Sequence, residues 1–338
     1  MSDILDHHDA HIEVTPIDGD RKKIVVDHYD PDAIVPWTSC ETDYPLDLIK
    51  LILENKSASH LCEEILRDIS PDYSERNIHS SIFGYIPKEE FSGKDILDFG
   101  CGMGASTMVL ARLLPDAVIT GVDLEEEHLE VANARADYYK VQDRVKFILS
   151  TEGDKLPDSI DSYDYIVLNA VYEHLLPEER YQLFPLLWKH LKPNGIMFIN
   201  QTPYRWFPIE SHTTYGLPFL NYLPDKVALH YTHKFSQRKL DMYDWQTLLR
   251  EGIRGGSVSE LKKILRNQDL VFLVPSQLGF QDRIDQWYRI SSQEGNLTFK
   301  RLLKRIFKSI KFVTGMTVLP TLALALQKGD LPENQISK

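Results

Sequence analysis

The run Lys94-Asp-Ile-Leu-Asp-Phe-Gly-Cys-Gly-Met-Gly-Ala-Ser-Thr107 constrains the fold of this chain more than any other stretch. Ile96, Leu97 and Phe99 make a short apolar strand entered from the Ser92-Gly93-Lys94 turn. Gly100, Gly102 and Gly104, with Cys101 between the first two, form a tight loop, and Met103–Leu114 has helical spacing. A strand, a glycine loop and a helix start make a nucleotide-binding element. The glycines let a ligand approach the backbone, and the helix start supplies free N–H groups. The expected class is therefore α/β, a Rossmann-like, doubly wound and mostly parallel sheet.

Asp98 stands two residues before the first glycine and separates two readings. A dinucleotide dehydrogenase places pyrophosphate at the helix start, and a carboxylate there would repel it. The same carboxylate suits a cationic ligand carrying an ammonium group. At this stretch the chain resembles the class I S-adenosylmethionine-dependent methyltransferases, whose first motif is an acid followed by GxGxG. The resemblance implies S-adenosylmethionine as cofactor, with Asp98, Gly100, Cys101, Gly102 and Gly104 at its methionine end.

The segments that follow keep the order and spacing of that family. Val118–Val122 reads as the second strand, ending at Asp123. A carboxylate there accepts from both ribose hydroxyls or, in the plainer reading, caps the helix that starts near Glu125. Leu124 is then set to pack on adenine, and Glu125–Lys140 reads as a long helix. Val145–Leu149 is the third strand. In the resembled family an acid shortly before a Leu-Pro pair takes the adenine amino group, which implies Glu152 beside Gly153, with Asp154 competing. Tyr163–Leu168 is the fourth strand, and Asn169 at its end joins the implied cofactor set. Glu173-His174 comes just past that end, where open α/β sheets bind ligands, and matches the "EHL" signature of small-molecule methyltransferases. A helix over 178–191, a Lys192-Pro-Asn-Gly195 turn and a fifth strand at Ile196–Asn200 complete the resemblance.

Residues 201–224 are rich in aromatics, Pro and hydrogen-bonding groups, and include Glu210 and His212. A long loop inside a compact domain is usually functional. This one resembles a segment of bacterial methyltransferases of glycan and cell-envelope pathways, which implies O-methylation of a sugar or glycan, lipid-linked or free. A small lipid, quinone or aromatic metabolite is the second acceptor class, and a non-catalytic cofactor-binding scaffold is the alternative of another kind. Removing a proton from a hydroxyl acceptor calls for a base near neutrality, so His174 with Glu173 and His212 with Glu210 are the two candidate pairs.

Ahead of the core, helical patterns at 46–55, 58–68 and 74–85 predict a helical cap, and Lys23–Asp27 a short strand. His7, His8 and His11 crowd near Asp6 and Asp9 but read as a polar terminus. No cluster has credible metal-ligand spacing, so metal-independent chemistry is expected. The expected organisation is an N-terminal extension and cap over 1–92, the cofactor core over 93–202, a substrate-side insertion and remaining core over 203–298, and a tail over 299–338. Asp269–Val274 is the expected sixth strand, and no seventh is visible.

A net charge of -12 argues against a general nucleic-acid binder. Three cysteines with no CxxC pair fit a reducing compartment, and the acidic, polar N-terminus is unlike a signal or transit peptide, so a cytoplasmic protein is expected. The tail begins with Lys300, Arg301, Lys304, Arg305, Lys308 and Lys311 at helical spacing, with apolar residues interleaved. It reads either as a helix on an anionic membrane surface, through 299–326, or as one docked on the acidic body of its own chain. The apolar run 312–326 contains Pro320 and is shorter than the roughly 20 residues that span a bilayer.

Overall fold

The computed structural model describes residues 2–31, 33, 35–150, 155–291 and 296–329. The chain opens with β1 (Asp3–Asp6), β2 (Ala10–Asp18), β3 (Arg21–His28) and β4 (Ser39–Thr42), an antiparallel sheet in sequential order. In β2 the side chains of Ala10, Ile12 and Val14 are buried while His11 and Glu13 face out, the period of two of a half-buried strand. The short strand expected over 23–27 falls within β3, and β1, β2 and β4 were not anticipated. The apolar positions of β1 and β2 are few and embedded among His, Asp and Glu, so the alternation is masked by polarity. The cap helices follow where the periodicity puts them, as α1 (Leu46–Glu54), α2 (Leu61–Ile69) and α3 (Arg76–Ile82).

The core then runs β5 (Asp95–Phe99), α4 (Ala105–Leu113), β6 (Val118–Asp123), α5 (Glu126–Tyr139), β7 (Val145–Leu149), β8 (Tyr163–Asn169), α6 (Pro177–Lys189) and β9 (Leu191–Pro203). After it come β10 (Ile209–Glu210), β11 (Leu217–Pro218), α7 (Asp225–Phe235), α8 (Trp245–Arg250), α9 (Val258–Ile264), β12 (Leu270–Phe272), α10 (Arg283–Ser291), α11 (Leu297–Thr314) and β13 (Thr321–Lys328). The central sheet has seven strands in the order β12-β13-β9-β8-β5-β6-β7, parallel from β9 through β7. β5 is buried at four consecutive positions, as a central parallel strand with both faces covered must be.

The seventh strand, invisible in the sequence reading, comes from the stretch taken for an apolar tail. β13 lies antiparallel between β9 and β12, and buries Leu322, Leu324, Ala325 and Leu326. Each buried Leu stabilises the fold by roughly 1.5–3 kcal/mol, so this segment is core and not appendage. α11 in turn docks on α10 and the residues just before it. Lys304 pairs with Asp285 at 2.9 Å, Lys308 with Asp282 at 3.0 Å and Lys311 with Asp282 at 2.7 Å. Phe307 packs with Ile284 and Leu319. The opposite side leaves Phe299, Leu302, Ile306 and Val313 exposed, with Arg301 and Arg305 also exposed. Among the described residues no helix is long and apolar enough to cross a membrane.

The N-terminal unit is bolted to the core by a buried ion network. The fully buried Arg135 of α5 donates to Glu64 Oε1 at 3.0 Å, to the Glu64 carbonyl at 2.9 Å and to the Met103 carbonyl in the glycine loop at 2.8 Å. Asp68 accepts from Tyr44 and Tyr139 and lies 3.6 Å from Arg135 Nε. Burial alone would raise Glu64, but Arg135 and Arg67 outweigh it and hold its carboxyl low.

Candidate active site

The carboxyl ends of β5, β6, β8 and β9 open on a cavity of about 490 Å³. Of the expected cofactor residues, Gly100, Cys101, Gly102, Asp123, Leu124 and Asn169 line it, and Asp98 and Gly104 are not among its lining residues. Glu152 and Gly153 lie outside the described residues. Gly100 has φ of 72°, and a Cβ there would come within 2.6 Å of Val171, so only glycine lets the loop close against the end of β8.

Asp98 is 1% exposed and accepts from Ser106 Oγ at 2.9 Å and Thr107 Oγ1 at 2.7 Å, both to Oδ2. Its Oδ1 has no partner among the described residues. Burial pushes this carboxyl up to about 6, against the pull of the two hydroxyls. A buried carboxylate with one oxygen unused, bonded to the cavity-lining Ser106, has the chemistry for a cationic ligand head. Asp123 accepts from Gly102 N at 2.8 Å, Glu125 N at 3.2 Å and the His128 ring at 3.2 Å. Burial would raise it, but these hydrogen bonds prevail and hold it below its ordinary value. It both braces the glycine loop and accepts from the lead-in to α5, so the capping role and a cavity-facing position coexist.

The sequence reading missed several cavity residues. Lys56, Glu64, Arg67 and Tyr73 reach in from the cap, and Ser106, His128, Ser150, Gln201 and Arg250 complete the wall. Nothing in local spacing marks them, although His128 stands five residues after Asp123 on the same side of the strand-to-helix turn. Ala170, just after β8, and Gln201, near the end of β9, both have positive φ, 57° and 62°. Left-handed backbone at non-glycine residues costs of order 1–3 kcal/mol and concentrates at functional sites.

His174 lies on the cavity wall, in the single turn Tyr172–His174. Its Nδ1 is 2.6 Å from the Arg250 carbonyl. A carbonyl only accepts, so Nδ1 carries the proton and Nε2 of the neutral ring keeps the lone pair. Glu173 is wholly buried; its Oε2 accepts from Thr202 Oγ1 at 2.8 Å and its Oε1 has no partner among the described residues. His212 arrives from the 201–224 loop, its ring 5.7 Å from that of His174. Gly252 makes room for it: at φ of 87°, a Cβ there would lie 2.9 Å from the His212 ring and 3.2 Å from Glu173 Cγ. Ligand atoms of Glu173, His174 and His212 fall within 4.8 Å of one another, as do those of His7, His8 and Asp9. The expectation of no metal-type cluster rested on sequence spacing, which cannot register the first of these groups.

Glu210 is corrected. Its buried carboxylate accepts from His212 N, Thr213 N, Thr214 N and Thr214 Oγ1, at 2.6–3.0 Å. All its lone pairs serve its own loop, so it shapes the approach of His212 and has none left to hold a substrate proton.

A mostly parallel seven-stranded sheet with this cavity at its carboxyl edge defines a Rossmann-like ligand-binding domain. Residues 96–195 match the family described as "Methyltransferase domain". Over this span the chain carries a methyltransferase domain, whose cofactor is S-adenosylmethionine. Curated relatives match the same region. An uncharacterized protein of Rickettsia prowazekii is 32% identical over 120 residues, 35% of this chain and 46% of that one. The mitochondrial ubiquinone biosynthesis O-methyltransferase of Bos taurus is 27% identical over 135 residues, 40% of this chain and 35% of that one. Erythromycin 3''-O-methyltransferase of Saccharopolyspora erythraea is 33% identical over 107 residues, 32% of this chain and 34% of that one. The chain thus spans less than half the length of each of these relatives.

Proposed function

We propose that this protein is a methyltransferase that methylates a hydroxyl oxygen, with a sugar or glycan as the favoured acceptor class. The observation that carries the reading is His174: its Nδ1–H is tied to the Arg250 carbonyl, and its ring lies on the wall of the cofactor cavity. S-adenosylmethionine, when bound, supplies an electrophilic methyl group. Asp123, Leu124 and the backbone of Gly100–Gly102 would hold it, with the Asp98 carboxylate behind the loop.

His174 Nε2 takes the proton of the acceptor hydroxyl as the oxygen becomes a nucleophile. The buried Glu173 carboxyl, within 4.8 Å of both histidines, is placed to stabilise the resulting imidazolium. His212 adds a second imidazole on the acceptor side, where it can donate to or accept from the acceptor's neighbouring polar group. The names of two relatives support oxygen as the acceptor atom.

A lipid, quinone or aromatic metabolite is the second acceptor class, supported by the ubiquinone-pathway relative. A membrane setting for either acceptor is supported by the exposed apolar face of α11 beside Arg301 and Arg305. The test is incubation of the purified protein with methyl-labelled S-adenosylmethionine and, separately, membrane-lipid and soluble extracts. Label in a polar glycolipid is the expected result, and label only in an apolar lipid or small soluble product moves the acceptor to the second class. Bound cofactor with no transfer in either extract overturns the enzymatic reading in favour of a cofactor-binding scaffold.

A further inference from the structure

A second cavity, of about 470 Å³, shares no lining residue with the first. It is walled by the start of α6, the stretch after β9, α8 and α9. Four cations line it, Arg180, Arg205, Arg254 and Lys263, against two carboxylates, Asp225 and Glu260. The carboxylates are already engaged: Asp225 accepts from Arg254 at 2.8 Å and Glu260 lies 3.3 Å from Arg180. Among the described residues neither Arg205 nor Lys263 has a salt-bridge partner in this wall.

The crowding of positive charge is built into the fold. The Asn221 carbonyl accepts from Arg205 Nη1 at 2.6 Å and from Arg254 Nη1 at 3.0 Å, which forces two guanidiniums onto one oxygen. Burial, and then the charge of Arg254, hold the Arg205 guanidinium down at about 10. Like charges brought together in a half-buried wall cost free energy that a bound anion would recover. Two of the guanidiniums lie over rings. Arg205 stacks on Trp206 at 5.0 Å and Arg254 on Trp245 at 4.8 Å, and both tryptophans line the cavity. Among the described residues Arg205 spends only Nη1, on Asn221, and keeps Nη2 and Nε for forked hydrogen bonding to an oxyanion, whereas Nη1 and Nη2 of Arg254 are taken by Leu220, Asn221, Leu223 and Asp225.

We propose that this cavity is an anion site that takes a phosphoryl or pyrophosphoryl group. The two positive charges left over after the internal pairs match a doubly charged phosphoryl group, and the tryptophans can cover a sugar or ring attached to it. The site stands independently of the methyl-transfer reading, since it involves none of the residues of the cofactor cavity.

The test is a titration of the full chain with inorganic pyrophosphate at ionic strength held constant with sodium chloride, read by tryptophan fluorescence. A saturable change is expected, with the apparent affinity about tenfold or more weaker in Arg205→Gln and partly recovered in Arg205→Lys. Lys263→Gln, at an exposed position that cannot disturb folding, should weaken binding several-fold and carries the test if Arg205→Gln does not fold. A parallel titration compares inorganic phosphate with glucose 1-phosphate. Tighter binding of the sugar phosphate assigns the site to a conjugated phosphoryl group, and equal binding assigns it to the free anion. A response that does not saturate, or that is the same in wild type, Arg205→Gln and Lys263→Gln, overturns the proposal.

Discussion

The imidazole rings of His174 and His212 lie 5.7 Å apart, although one sits in the turn after β8 and the other on the 201–224 loop. Both candidate bases therefore belong to one site, with Glu173 beneath them. His174→Asn is expected to lower turnover by about 10²–10⁴-fold with little change in cofactor affinity, and His212→Asn to lower it less. Turnover together with calorimetric binding of S-adenosylhomocysteine checks both. A loss under tenfold for His174→Asn removes it as the base. Turnover should also survive a chelator, and a loss restored by a divalent cation would instead make the three residues a cation site.

Gly252 leaves room for the His212 ring and Glu173 by having no side chain. Gly252→Ala should displace His212 and cut turnover at least tenfold while cofactor affinity is kept, because the left-handed backbone and the 2.9 Å approach both oppose a Cβ. Equal turnover of the variant and the wild type would show that the position of His212 does not matter.

Asp98 links cofactor affinity to pH. The folded carboxyl holds its proton up to about 6, against an ordinary value of 3.8, so between those values the folded chain binds more protons than the unfolded one. The ligand-free protein therefore loses stability from this group as pH rises from 3.8 to about 6, and no more beyond. A cationic ligand prefers the ionised carboxylate, so its affinity should climb with pH by up to about tenfold per unit below 6 and level off above. Calorimetry of S-adenosylmethionine binding between pH 5 and 8 measures this, and Asp98→Asn should bind weakly with a flat profile.

Arg135 holds three parts of the chain at one point: α2, α5 and the glycine loop. Among the described residues, Arg135→Leu leaves buried Glu64 with only Arg67, at 3.8 Å, and buried Asp68 with only Arg112, at 3.4 Å, and should destabilise the fold by about 3–5 kcal/mol. Urea unfolding of the two proteins checks it, with a change under about 1 kcal/mol counting against the network as a structural bolt.

The outer face of α11 should adsorb to vesicles containing phosphatidylglycerol and not to neutral phosphatidylcholine vesicles, as read by co-flotation. Leu302→Glu with Ile306→Glu should abolish adsorption without altering the lysine contacts to Asp282 and Asp285. Flotation that is equal for the two vesicle types would remove the electrostatic part of the reading.

Local sequence carried a large part of the core. Strands β5 to β9 were legible because a parallel strand buried on both faces is a continuous apolar run, and the turns between them carry Gly, Pro and Asn at fixed places. Asp98, Asp123 and the Glu173-His174 pair were legible for a related reason: each stands at or shortly past the carboxyl end of a strand, and chemistry in such sheets gathers at those ends. β1 and β2 were lost among polar residues, and β13 was lost because a short apolar run does not declare which partners will flank it.

What the sequence determined by itself is thus the α/β class, the succession of the parallel strands along the chain and the residues that stand at their ends, since all of these depend on near neighbours. Tertiary structure alone decided that His212 meets His174, that Glu210 is spent on its own loop, that Lys56, Arg67 and Tyr73 reach the cavity, and that Arg180, Arg205 and Arg254 converge. Those are contacts between segments far apart in the chain, created only when buried apolar faces choose their partners. No periodicity within one segment records that choice.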